Sequence, residues 1–115
     1  MYVSVLKLKM KLPYSESLKD KRMVKNSVRD KIERNYKALV KEIDTQDNKK
    51  VLSLGVIYAS SAQTNAEQQI NKILEYLERN YDYEFYETEK YIPVEILPNE
   101  FNGYSKISPL IFSNG

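Results

Sequence analysis

Cations crowd the start of a predicted helix at residues 17–22, which read SLKDKR. Ser17 lies three residues before Asp20, the spacing of a capping box at a helix N-terminus. The cations of the first turns are Lys19, Lys21 and Arg22. They lie where the helix macrodipole is already positive, so each should cost from a few tenths up to about 1 kcal/mol. An anion such as a phosphate would satisfy this cluster, so the spacing predicts an anion-binding surface.

The basic character continues along the helix, which we predict to run from Ser17 to Tyr36. Residues 17–36 hold seven cations against three carboxylates, while the formal net charge of the chain is only +2. The candidate contacts to an anion or to RNA are Ser17, Lys19, Lys21, Arg22, Lys25 and Arg29. Each phosphate contact would add a salt-dependent share of affinity. The alternative is a solvated helix face on which Lys21 or Lys25 pairs with acidic neighbours.

A row of lysines follows the first predicted strand. Lys7, Lys9 and Lys11 alternate with apolar residues, as in a strand with one buried and one solvated face. Several protein families bind RNA on such an open sheet face, but the strand at residues 50–59 lacks the paired aromatic residues of an RNA-recognition motif. The simpler interpretation is that these lysines keep the open face solvated.

Aliphatic residues share that open face. The alternation predicts that Val3, Val5, Val40, Val51 and Ile57 lie beside the lysines. A partly aliphatic sheet face often becomes buried against a second copy of the chain, so homodimerisation is an alternative to RNA binding.

Paired carboxylates are the remaining candidates for chemistry. Glu42 and Asp44 share one side of the second predicted strand and Asp47 follows in the turn, where they could hold Mg²⁺ or act as acid and base. They could equally balance nearby lysines. The chain has no Cys and no His, which excludes disulfides, Cys/His zinc sites and His-based triads. Three glycines exclude the Gly-rich phosphate loops. We therefore expect no enzymatic activity, no metal and no cofactor.

The elements that position these residues follow the order β-α-β-β-α-β. Strands are predicted at residues 2–12, 38–44, 50–59 and 83–91, and the second helix runs from a Thr64–Glu67 capping box to Asn80. Right-handed crossovers then favour a ferredoxin-like α+β fold, a four-stranded antiparallel sheet with both helices on one face. The first and third strands should be central and the other two should lie at the edges.

The chain divides into a domain at residues 1–92 and a C-terminal extension at residues 93–115. Three prolines make the extension irregular, but it is too apolar for a disordered tail, so we expect it to pack on the domain or on a partner. No secretory signal and no apolar run near 20 residues is evident, which predicts a cytoplasmic protein with no membrane contact.

Four blocks together resemble the YlxP-like family, small bacterial cytoplasmic proteins classed as a domain of unknown function. The blocks are residues 17–22, Glu42-Ile43-Asp44, Gln46-Asp47 and Leu54-Gly55-Val56. Residues 17–22 match the family's opening S-L-K-[ED]-K-R, whereas Thr45 occupies a position that is usually His. The resemblance covers residues 3–91 and leaves Leu18, Glu42, Asp44, Gln46 and Asp47 as motif residues of unknown role.

The resemblance implies a ferredoxin-like fold and a genomic setting beside translation-initiation and ribosome-maturation factors, but no activity or substrate. Our first hypothesis is therefore a non-enzymatic binding module for ribosomal or other structured RNA. The alternative is a homodimeric interaction protein that uses its open sheet face and binds a protein or a small anionic partner.

Overall fold

The computed structural model describes residues 1–81, 84–98, 105–108 and 112–113. Its elements are β1 (Tyr2–Lys11), α1 (Leu18–Tyr36), β2 (Leu39–Glu42), β3 (Val51–Ser60), α2 (Gln63–Asn80), β4 (Glu84–Pro98), β5 (Ser105–Ser108) and β6 (Phe112–Ser113). The first six elements have the predicted βαββαβ order. The structure is an α+β protein with an open antiparallel sheet, which confirms the ferredoxin-like fold class.

The sheet has the strand order β2-β3-β1-β4-β5, and β6 also pairs with β4. The predicted central position of β1 and β3 is confirmed, because β1 pairs with both β3 and β4 along its length. The predicted edge position of β4 was wrong. Both β5 and β6 pair with β4 in antiparallel orientation, with Glu95 opposite Ser108 and Tyr91 opposite Phe112.

The strand β4 crosses the predicted boundary at residue 93. The prediction of irregular structure was therefore wrong for residues 93–98, 105–108 and 112–113, which lie in strands. Pro93 does not end β4 because the register shifts there: Val3 lies opposite Val94 but Val5 lies opposite Tyr91. This shift adds one residue to β4, and a bulge is a place where a strand tolerates proline, which has no N–H to donate.

The core lies between the sheet and the two helices. The alternation in β1 buries Leu6, Leu8 and Met10, and the chain buries Leu12 directly after β1. The helices contribute Val28, Ile32, Ile70, Ile73 and Leu77, all at most 3% exposed. Each fully buried side chain of this kind contributes roughly 1.5–3 kcal/mol to folding. Within the described residues, neither helix is both long and apolar enough to cross a membrane.

Two local predictions were wrong by one or two residues. Val40 was predicted on the open face but is 1% exposed and packs in the core opposite Val56. The side chains of β2 are therefore shifted by one position, and Leu39 takes its place on the open face. The second helix begins at Gln63 with Ala62 as its N-cap and no side-chain cap, so the predicted capping box at Thr64 does not form.

Candidate binding surfaces

The start of α1 is fixed by two short side-chain contacts. The Ser17 hydroxyl oxygen accepts a hydrogen bond from the Asp20 N–H at 3.0 Å, which confirms Ser17 as the N-cap. The Asp20 carboxylate accepts from the Glu16 N–H at 2.9 Å, one residue before the position of a standard capping box. The cap therefore holds the first turn of α1 and its cations in a defined position.

Lys21 is internal, which corrects its prediction as an anion or RNA contact. Its side chain is 3% exposed, and its Nζ donates to Glu42 Oε2 at 2.7 Å and to the carbonyl oxygen of Thr45. The Glu42 side chain is only 7% exposed. The buried ammonium thus joins α1 to the turn that follows β2, and no surface ligand reaches it.

The helical period explains this placement. Lys21 lies seven residues before Val28 and eleven before Ile32, so all three occupy the buried stripe of α1. Sequence reasoning classed Lys21 by its charge and placed it on the surface. The signal that would have found it is the phase of the helix together with Glu42, which projects from the neighbouring strand toward the same layer.

The three candidate carboxylates do not come together. Glu42 lies between Lys21 and Lys25, whose Nζ is 3.6 Å from Glu42 Oε1, and it also accepts from the Thr45 hydroxyl at 3.0 Å. Asp44 and Asp47 are exposed, and Asp44 adopts a left-handed backbone with φ 63°. Among the described residues, no group of three His, Cys, Asp or Glu side chains is arranged to hold a metal ion.

The turn that follows β2 is organised around Glu42. The Gln46 side-chain amide donates to the Glu42 carbonyl oxygen at 3.4 Å, and the Thr45 hydroxyl accepts from the Ser53 N–H at 2.9 Å. Of the five motif residues of unknown role, Glu42 and Gln46 therefore hold this turn. Asp44, Asp47 and Leu18 remain exposed, with Leu18 at 41%.

The four candidate cations of α1 other than Lys21 form two groups. Lys19 and Arg22 are exposed and have no carboxylate partner among the described residues. Lys25 is 27% exposed beside Glu42, and Arg29 contacts Asp30 at 3.4 Å. Lys31 and Arg34, later in α1, are exposed cations as well, so what distinguishes Lys19 and Arg22 is their position in the first turns of the helix.

A groove of about 590 Å³ runs between α1 and β2. Its charged lining consists of Lys25, Arg29, Lys41, Asp30, Glu33 and Glu42. Three cations thus face three carboxylates, and the charge of the groove is balanced. The groove adds no positive potential to that of the first turns.

The lysine row lies on the open sheet face as predicted, but its charges are engaged. Lys7 Nζ lies 3.8 Å from Glu89 Oε2, and Lys9 and Lys11 also have interaction partners. Glu89 Oε2 additionally accepts from the Tyr91 hydroxyl at 2.7 Å, and this hydrogen bond raises the pKa of Tyr91 above its ordinary value of 10.0. The lysine row therefore does not present an uncompensated cationic stripe.

An apolar row crosses the open face from β2 to β4. The strand registers place Leu39 opposite Ile57, Ile57 opposite Val5, and Val5 opposite Tyr91. Leu39 is 50% exposed and Ile57 is 42% exposed. Sequence reasoning did not place Leu39 or Tyr91 on this face, and the alternation of β2 counted from the buried Val40 would have found Leu39.

The two layers and the open antiparallel sheet define this chain as a ferredoxin-like α+β domain. A family model described as "Protein of unknown function (DUF503)" matches residues 3–90, and the chain belongs to this family. No curated protein matches the chain.

Proposed function

We propose that the domain is a non-enzymatic binding module that contacts the phosphates of structured RNA, such as ribosomal RNA, through the first turns of α1. Within this proposal the protein is a YlxP-like bacterial protein of the cytoplasm, which rests on the match of residues 17–22 to that family's opening block. The binding residues are Lys19 and Arg22, with Lys25 and Arg29 at its margin.

The observation that carries the proposal is the exposure of Lys19 and Arg22 without a carboxylate partner in the described chain. The neighbouring carboxylate, Asp20, accepts from the Glu16 N–H at 2.9 Å and is not within ion-pair distance of either cation. The cations therefore lie in the first turns of α1 against the macrodipole, an arrangement that a bound phosphate stabilises.

The backbone supports the same ligand. A helix leaves its first N–H groups without intrahelical acceptors, and at α1 the Ser17 side chain accepts only from Asp20. Among the described residues, the Leu18 and Lys19 N–H groups have no acceptor, and they belong to the same turn as the two cations. Backbone donors and flexible cations at one helix end are a common way of binding phosphate without reading sequence.

Co-sedimentation with ribosomal subunits from the protein's own cell lysate tests the proposal. The wild type should migrate with one subunit at low salt and leave it as salt rises, because displaced counterions make phosphate binding salt-dependent. The Lys19→Glu/Arg22→Glu variant should stay at the top of the gradient. On purified ribosomal RNA, loss of two contacts should reduce the slope of log K against log salt by about 2.

The matched control is Arg34→Glu/Lys72→Glu, which makes the same charge change at two exposed positions away from the start of α1. It should sediment like the wild type. Equal loss in both double variants would show that net charge alone drives binding, and unchanged sedimentation in both would refute the proposal. Lys21→Glu is unsuitable because it would bury a second carboxylate against Glu42.

A further inference from the structure

We propose that the open sheet face binds a second copy of this chain around a two-fold axis that runs parallel to the strands, between β3 and β1. This inference does not depend on the RNA proposal, since it uses the opposite side of the sheet. It rests on the order in which apolar and charged residues follow one another across the four strands.

The first element of the argument is the apolar row of Leu39, Ile57, Val5 and Tyr91. In a two-layer fold with both helices on one side, the other face of the sheet is covered by neither helix, and Leu39 and Ile57 remain 50% and 42% exposed. A sheet face that is four strands wide at about 4.8 Å per strand and about ten residues long at about 3.3 Å per residue has an area on the order of 600 Å². That area approaches the ~800 Å² that each partner buries in a standard interface.

The second element is the charge order in the neighbouring row. Across the sheet, Lys41 on β2 lies opposite Gly55, Gly55 opposite Lys7, and Lys7 opposite Glu89 on β4. In this row β2 thus carries an exposed cation and β4 carries a carboxylate. Among the described residues, Lys7 and Tyr91 both contact Glu89 through Oε2, and a carboxylate has a second oxygen, Oε1, that can accept from a further donor.

The proposed axis makes these rows complementary to themselves. A two-fold rotation about a line between β3 and β1 places β2 of one protomer over β4 of the other and keeps each row over its own counterpart. Lys41 then faces Glu89 of the second copy twice, and Leu39 faces Tyr91. Gly55 lies beside the axis, and the Ile43 side chain covers it, 3.8 Å from the position that a Cβ of Gly55 would take. An isologous contact of this kind closes as a dimer.

Light scattering over a dilution series tests the association, and a charge exchange tests its geometry. The wild type should be a dimer at micromolar concentration. Lys41→Glu alone and Glu89→Lys alone should each be monomeric, because like charges then face each other twice. An equimolar mixture of the two variants should restore a dimer, since every facing pair is again of opposite sign.

A second pair of variants guards against misfolding. Ile57→Glu places a charge in the apolar row at a position that is 42% exposed, so the chain should fold and remain monomeric, as circular dichroism would verify. Met23→Glu, at a position on α1 that is 65% exposed, is the control and should still dimerise. A monomeric wild type, a dimer unaffected by Ile57→Glu, or a charge mixture that stays monomeric would overturn the inference.

Discussion

Replacing Lys21 by methionine removes the ammonium from the buried contact between α1 and Glu42. The side chain keeps its length, so the packing of the stem is preserved. The variant loses the 2.7 Å hydrogen bond to Glu42 Oε2 and the hydrogen bond to the Thr45 carbonyl oxygen. Glu42, with a side chain 7% exposed, then keeps Lys25 at 3.6 Å as its one cationic partner among the described residues.

The magnitude follows from the burial of that carboxylate. Removing one partner of a buried ion pair typically costs 3–5 kcal/mol, because the other charge is left uncompensated. Lys25 remains near Glu42, so we expect the lower end, about 3 kcal/mol. For a domain of this size that corresponds to roughly 12 °C in melting temperature. It is also a large part of the 5–15 kcal/mol that stabilises a typical domain.

Urea unfolding followed by circular dichroism measures the free energy of each variant. Lys21→Met/Glu42→Leu should cost less than Lys21→Met alone, since the double variant leaves no buried charge, and the coupling energy should be at least about 2 kcal/mol. Lys25→Met is the control and should cost less than 1 kcal/mol, as expected for a partly exposed pair. A cost below 1 kcal/mol for Lys21→Met, or a coupling near zero, would refute the reasoning.

Three further predictions concern the cap, the sheet edge and the open face. Ser17→Ala removes the acceptor for the first turn of α1 and should cost about 1 kcal/mol in urea unfolding; unchanged stability would contradict the capping role. Glu33→Ala removes the acceptor of the Val40 N–H, so this amide should exchange with deuterium faster by NMR, and equal protection would count against that hydrogen bond. Glu89→Gln should lower the raised pKa of Tyr91 in an ultraviolet titration. The hydrogen bond of the neutral phenol stabilises the folded state below pH 10, and this stabilisation should be lost as pH rises through the folded pKa; an identical titration curve would contradict it.

The element order and strand pairing were predictable because each element carries its own local signal. Alternation marked β1 and β2, a run rich in Val, Leu and Ile marked β3, and the Ser17 cap marked α1. The extent of β4 was not predictable in the same way. Pro93 is a stop signal in a sequence, yet the bulge opposite Val3 to Val5 removes the need for its N–H. This bulge depends on the pairing of β4 with β1, and Val3 on β1 is 90 residues from Pro93 in the chain.

The candidate sites were less predictable than the fold, for two physical reasons. From the sequence alone, a lysine is assigned to the surface unless a buried carboxylate partner is known. The partner of Lys21 is Glu42, and only the tertiary structure brings the two together. In a strand as short as β2, one residue of phase decides which side chains face the core. Assigning Leu39 rather than Val40 to the open face required the observed register with β3.

The contact between Lys21 and Glu42 has a consequence for building hybrid proteins. The blocks at residues 17–22 and 42–46 are far apart in the chain. The ammonium of Lys21, in the first block, nevertheless donates to Glu42 and Thr45 in the second. A chimera that receives α1 alone from another family member inherits a helix fitted to a different turn. We therefore expect a chimera to keep this buried contact only when both blocks come from the same protein.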